Sequence, residues 1–393
     1  MANIQAKSAS EALVLEAIRR YAPVTRSELA RYTGFTPATV TNVVAAMIEA
    51  GYVEEGGRRP QGRGQPPIEL RIRPGATFTL GAHVEHRDLG VVLVDADGTV
   101  VDQAGERVPP LRPDETVQRV EALCRAILAR NGVPMARVLG AGLATFGPID
   151  FAYGTVSPLI YDDEWQNVPI RDWLSQRLGL PVYLDNNATA SAIGEYWYGT
   201  DRDLGDFLHV FLGFGVGGGL FLGGRVHRGT SFNAGEVGHV ITDRQGPSWF
   251  QGPPGSLESF VSLLAFERDF GEGALAELEA RFGDAEPSVL AWLDAAARRL
   301  AQVAVSADHL LDLDAVVVGG LYPQQILRHL VDTARPIIEV LTMRSRPHRA
   351  VLRVATAGRF AAALGAAMLP IYDVFLPAAG PVQPAPIAYS NPS

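Results

Sequence analysis

Residues 206–226 read DFLHVFLGFGVGGGLFLGGRV, two apolar extended runs around a glycine-rich turn. This is the signature of a buried β-hairpin. The same design occurs earlier, in FTLGAHVE at 78–85 followed by LGVVLVDADGTVV at 89–101. The first hairpin is followed by an amphipathic helix at roughly 114–130 and by the strands VLGAGLATFG (138–147) and VYLDNN (182–187). The second is followed by a long helical region around 285–310, the strand AVVVGG (315–320) and a closing helix at about 359–369. Strands alternating with helices predict an α/β chain. Two halves with the same opening predict a duplicated fold, with a cleft between its lobes.

Composition narrows the function classes. The chain has 393 residues, which suits two or three domains. Apolar residues make up 47%, but no uncharged run reaches the roughly 18 residues that a membrane span requires. The opening MANIQAKSAS lacks the basic-then-apolar order of a signal peptide, so a soluble, cytoplasmic protein is expected. The one cysteine, Cys124, sits in the amphipathic stretch VQRVEALCRAILA and is expected to be a small buried thiol. The one lysine, Lys7, leaves no GxxxxGK[ST] phosphate loop. Net charge is −9, but residues 1–75 carry ten Arg/Lys against seven Asp/Glu. Any contact with nucleic acid is therefore expected in this N-terminal segment, because the acidic body repels phosphates.

That segment predicts three helices. SASEALVLEAIRRY places Leu13, Ile18 and Tyr21 near one face. TRSELARYTG begins with Thr25 and Glu28 at capping-box spacing and ends at Gly34. TPATVTNVVAAMIEAG has Thr36 as N-cap, Pro37 at the first helical position and Gly51 as terminator. Its apolar set, Val40, Val43, Val44, Met47 and Ile48, packs inward. Ala38, Thr39, Thr41 and Asn42 remain on the opposite, N-terminal side, as in a helix that enters a major groove. A three-helix protein-interaction module is the alternative. The following stretch, GYVEEGGRRPQGRGQPPIELRIRPG, predicts a β-wing with Arg58, Arg59 and Arg63 on it and only Glu54 and Glu55 as nearby acids. The RGQP at 63–66 suits an A·T-rich minor groove; a flexible linker with solvated arginines is the other reading.

Five motifs stand in order along the body: GAGLATFGPI (140–149), LDNNATASAIGE (184–195), GFGVGGG (213–219), AGEVGH (234–239) and GSLES (255–259). With them the chain resembles the ROK family of repressors, open reading frames and kinases, and the winged helix resembles its repressor branch. The resemblance implies a winged helix-turn-helix followed by a two-lobed, actin-like (ribonuclease-H-type duplicated) sugar kinase fold. It further implies a sugar in the cleft, with ATP beyond it in active members.

Set against the family pattern, the catalytic parts of this chain are altered. The family's D-N-D-A motif, whose second Asp is the general base, is Asp185-Asn186-Asn187-Ala188 here. An amide accepts and donates hydrogen bonds but is no base near neutral pH. Asp185 would point to the same strand face but lie roughly 6–7 Å away. The phosphate motif D-x-G-G-T is replaced by His83-Val84-Glu85-His86-Arg87, whose side chains block close backbone approach. GFGVGGG survives, although such hairpins also serve purely structural turns. The zinc loop C-x-C-G-x-x-G-C is replaced by WFQGPPGS at 249–256, leaving His239 without thiolates; aromatic packing and prolines are expected to stiffen the loop instead. What persists is the sugar-contact set implied by the resemblance: Asn186, Glu236, His239 and Glu258, with Asn187 beside them. The alternative for Glu236 and His239 is that they are relics, His239 being a satisfied core histidine. Trp165 either stacks on a sugar or fills the core.

These readings predict a winged helix with basic wing over 1–75. Lobe I follows over 76–195, completed by a C-terminal helix near 359–376, and lobe II over 196–358. A disordered, proline-rich tail is expected over 377–393. They predict a sugar-responsive repressor that binds operator DNA and a sugar as a homodimer or higher homo-oligomer. No catalysis, membrane contact, ATP or zinc is expected. The competing readings are an ATP-dependent sugar kinase with a fused DNA-binding domain, and a ligand-independent DNA-binding protein whose body only dimerises.

Overall fold

The computed structural model of the chain describes residues 9–59, 66–157, 163–200, 204–248, 253–342 and 350–375. Arg63, the loop at 249–252 and the tail at 377–393 lie outside the described residues.

The N-terminal unit runs α1 (Ala9–Tyr21), β1 (Val24–Thr25), α2 (Arg26–Thr33), α3 (Pro37–Glu49), β2 (Val53–Arg58) and β3 (Ile68–Ile72). β3 lies between β1 and β2, antiparallel to both. The Thr25–Glu28 capping box is present, and Gly34 closes α2 at φ 73°, a left-handed conformation that glycine adopts without Cβ strain. Thr36 caps α3 by accepting from the Thr39 N–H, with Pro37 next. Val14, Ile18, Leu29, Val40, Val44, Leu70 and Ile72 form the buried centre. The apolar face of α1 is nevertheless Val14, Leu15 and Ile18; Leu13 and Tyr21 are exposed, contrary to the sequence reading. Tyr21 stacks instead on Tyr32 at 4.2 Å between ring centres.

The body contains two five-stranded sheets. The first is built from β4 (Phe78–Glu85), β5 (Asp88–Asp95), β6 (Val100–Arg107), β7 (Val138–Thr145) and β10 (Val182–Asn186), in the order β10-β7-β4-β5-β6. The minor hairpin β8 (Ile149–Asp150) and β9 (Thr155–Val156) follows β7. The second sheet is built from β11 (Phe207–Leu212), β12 (Val216–Leu222), β13 (Arg225–His227), β14 (Ala315–Gly320) and β15 (Val351–Val354), in the order β13-β12-β11-β14-β15. In each, three antiparallel strands are extended by two parallel ones on the other side of the first. The shared order establishes the duplication that the repeated hairpins suggested.

Helices complete the layers. α4 (Pro113–Arg130) and α5 (Ile170–Leu178) cover the outer face of the first sheet. α6 (Asn187–Tyr198) and α12 (Ala361–Phe375) lie between the two sheets, α12 on β4 and β7, α6 on β11 and β12. The chain continues from β13 through α7 (Glu258–Val261), α8 (Leu263–Phe270) and α9 (Ala274–Gly283). α10 (Pro287–Leu311) and α11 (Gln324–Leu341) back the second sheet. The inner layer is dense because its residues are small. A Cβ on Gly194 of α6 would stand 2.0 Å from the Ala361 carbonyl oxygen, and one on Gly365 of α12 1.8 Å from that of Ala190. α5, α6, α11 and β15 were not anticipated from the sequence.

Candidate functional site

The candidate site residues of the first lobe gather at the start of α6. β10 ends at Asn186, whose side chain caps α6 by accepting from the Ala188 N–H at 2.9 Å. Asn187, the first residue of the helix, is only 2% exposed. Its amide nitrogen donates to the Val84 carbonyl at 2.9 Å and to Glu85 Oε1 at 2.7 Å. Its amide oxygen is buried without a hydrogen-bond partner, a costly condition that a bound donor would relieve.

Glu85 was read from the sequence only as an obstacle to phosphate. It is buried and held by Asn187 and the His86 backbone. Burial pushes its carboxyl up to about 7, with the hydrogen bond from Asn187 opposing and the charges of Asp88 and Glu258 reinforcing. No periodicity signal marks such a residue; only its tertiary neighbours reveal it.

Glu236, His239 and Glu258 come from the second lobe. Glu236 and His239 are about half exposed and 3.6 Å apart, so neither is a core residue. Glu258 opens α7, and its Oε2 accepts the Val216 N–H at 2.8 Å. Burial raises its pKa, the Val216 N–H and the charge of His239 opposing, Glu236 adding to the rise. Glu258 is thus electrostatically coupled to Glu85 on one side and to Glu236 and His239 on the other.

The glycine-rich hairpin is explained by packing. A Cβ on Gly217 would lie 2.8 Å from that of Ala188, and one on Gly219 2.4 Å from that of Ala192, both on α6. A Cβ on Gly215 would lie 2.7 Å from Glu258 Oε2. These glycines let α6 and Glu258 approach β12 closely.

Two further contacts join the lobes. The turn after β4 is docked on the second lobe by Arg87, which donates to Glu267 of α8 at 3.0 Å, and by His86, edge-on to Phe214 at 5.3 Å. Burial drives His86 down to about 4, keeping it neutral. Asp185 is fully buried, and both its oxygens accept from Arg228, at 2.8 and 2.7 Å. Trp165 is a core residue, 3% exposed, donating to the Leu111 carbonyl. Cys124 is buried and its thiol is pushed up to about 12. Among the described residues no group of three or more His, Cys, Asp or Glu could hold a metal. A zinc site of one His and three Cys does not fit a chain with a single cysteine.

On the N-terminal unit, Thr36, Ala38, Thr41 and Asn42 are exposed and Thr39 is half-buried, on the side of α3 away from Val40, Val44 and Met47. Thr36 and Thr39 share a hydroxyl contact at 2.9 Å, and Thr41 donates to the Pro37 carbonyl. Arg59 has acids beside it that the sequence reading did not name. Arg59 is bound to Glu28 and Glu69, each at 2.9 Å, and to the Pro23 carbonyl, so it fastens α2 to the wing. The sequence reading missed these acids because they come from α2 and β3. Arg58 is exposed on β2.

Comparison with known proteins agrees with this architecture. The ROK family model matches residues 81–372 and the MarR family model residues 8–64. The xylose repressor of Caldicellulosiruptor bescii is 29% identical over 261 residues, 66% of this chain and 65% of the repressor's own length. A crystal structure of a ROK family transcriptional regulator, a homologue of the Escherichia coli Mlc protein, superposes with a TM-score of 0.75 at 19% identity. That match covers 94% of this chain and 98% of the other. The ROK hexokinase of Thermus thermophilus superposes on the body, with a TM-score of 0.59 at 27% identity, over 74% of this chain and 97% of its own. With a family model covering most of its length and the duplicated kinase-like sheets in place, the chain belongs to the ROK family.

Proposed function

We propose that this chain is a sugar-responsive transcriptional repressor that binds operator DNA through α3 and the wing, and a sugar through a cleft that does not catalyse. The observation that carries the reading is Asn187. It stands where the resemblance implies a general base, yet its amide is committed to Val84 and Glu85 and cannot take a proton. Its unpartnered oxygen, with Asn186, Glu236, His239 and Glu258 around the same cleft, suits the hydroxyls of a sugar. The turn at 85–87, docked on α8 through Arg87, offers no glycine cradle for a triphosphate, which supports a reading without ATP.

The sugar acts by favouring one relative arrangement of the lobes through differential affinity. In a homodimer that arrangement sets the spacing of the two α3 helices, which read half-sites of an operator. The kinship with a xylose repressor and with a ROK transcriptional regulator supports repression as the output.

The test is a calorimetric sugar screen on the full chain, paired with operator binding with and without each sugar. Saturable sugar binding that shifts operator affinity is expected. Turnover of ATP with any monosaccharide would move the chain to the kinase reading, and silence toward every sugar to the purely DNA-binding one.

A further inference from the structure

The candidate sugar site gathers more acid than base. Glu85 is hydrogen-bonded to Asn187 and lies within electrostatic reach of Glu258, which in turn feels Glu236 and His239, a pair 3.6 Å apart. Among the described residues, Arg87, Arg228 and Arg359 each end on a carboxylate: Glu267, Asp185 and Asp88 respectively. Asp88 also accepts from His83 Nε2 at 2.8 Å, so β4 and β5 hold it in place. A phosphate entering here would have to break one of these pairs to find a cation. It would also meet Glu85, whose buried side chain fills the space beside Asn187. A neutral hydroxyl would instead find the free amide oxygen of Asn187 and the carboxylates as acceptors.

We infer that Glu85 is a specificity-determining residue that restricts the cleft to sugars without phosphate, neutral or amino-substituted, and rejects their phosphate esters. The inference rests on the reading of the cleft as a sugar site. It adds the ligand's charge class, and it assigns that selection to a residue outside the inherited sugar-contact set. Phosphate recognition by arginine uses the guanidinium fork, and in Arg87, Arg228 and Arg359 that fork is already engaged by carboxylates.

The experiment is calorimetry on the full-length chain at pH 8, with matched pairs: glucose and glucose 6-phosphate, N-acetylglucosamine and its 6-phosphate, and free glucosamine. In the wild type at least one unphosphorylated sugar is expected to bind, with its ester weaker by at least about tenfold from charge repulsion. Glu85→Gln, which keeps shape and removes charge, is expected to narrow that ratio, and Glu258→Gln to narrow it less. An ester binding the wild type as tightly as its parent sugar overturns the inference and leaves the sugar site standing. So does a ratio unchanged in Glu85→Gln. No heat from any sugar, phosphorylated or not, overturns both. The wild-type pairs decide the charge class even where a variant folds poorly.

Discussion

The guanidinium of Arg19, on the first helix of the winged unit, lies 4.8 Å from the centre of the Trp197 ring at the end of α6. Trp197 donates from its indole to the Tyr372 hydroxyl of α12. Around this pair Leu15 and Ile72 of the winged helix meet Met368 and Ile371 of the body. The opposite end of α6 is Asn187. A helix of twelve residues, roughly 18 Å long by its rise, therefore joins the proposed sugar contact to the winged unit. Trp197→Ala is expected to leave sugar affinity nearly unchanged while reducing the sugar's effect on operator affinity several-fold, since such couplings amount to about 1–3 kcal/mol. Measuring operator affinity at zero and saturating sugar checks this; an undiminished sugar effect would show that the signal travels elsewhere.

The same helix depends on close contact with α12. Gly194→Ala and Gly365→Ala each force a methyl group to within about 2 Å of a carbonyl oxygen of the facing helix. Overpacking of this kind costs about 1–3 kcal/mol, so both variants should melt several degrees below the wild type. Gly283→Ala, with nothing within 4 Å of the new methyl, is the control and should melt unchanged or slightly higher. Equal melting of all three would show that the inner layer yields easily.

Much of this architecture was legible in the sequence because it is local. The hairpins at 78–101 and 206–226, the capping box at Thr25–Glu28 and the Pro37 helix start each depend on residues within a few positions of one another. α6 was missed because ATASAIGE has no polar face: it is buried between two sheets, so helical periodicity vanishes. The surroundings of Arg59 were missed for a related reason. The partners of Arg59 lie 31 and 10 residues away, on α2 and β3, and antiparallel pairing sets Glu54 opposite Arg71. Glu85 looked like a defect in a phosphate motif until its hydrogen bond to a residue 102 positions later was visible.

Arg58 and Arg59 should therefore behave differently despite being neighbours. Arg58 is exposed and free to approach a phosphate, so Arg58→Ala is expected to weaken operator binding and lower the salt slope by about 1. Arg59 fastens α2 to β3 and the Pro23 carbonyl. Arg59→Ala is expected to lower the melting temperature of the winged helix with the slope held. Titrations of operator binding against salt, with parallel melts, separate the two; a slope change in Arg59→Ala would return that residue to the DNA surface.

Glu85 carries a pH signature of defined sign. Its pKa is raised from 4.5 to about 7 in the folded chain, so between those values the native state holds a proton that the unfolded state has released. Stability contributed by the protonated group is present below pH 4.5 and is lost as pH rises through about 7. His86 and His209 act in the opposite sense, because burial pushes their pKa values down to about 4 and about 3. Their contribution is lost as pH falls from 6.5 toward those values. The total stability curve mixes these effects, and the comparison with Glu85→Gln isolates one. The variant keeps both histidines but has no proton to lose, so its stability relative to wild type should climb from pH 4.5 and level off above about 7. Denaturant melts at half-unit intervals from pH 4 to 8.5 measure that difference. A difference that stays flat across the range would mean that the Glu85 carboxyl is already ionised in the folded protein at pH 5, and that Asn187 faces a full negative charge.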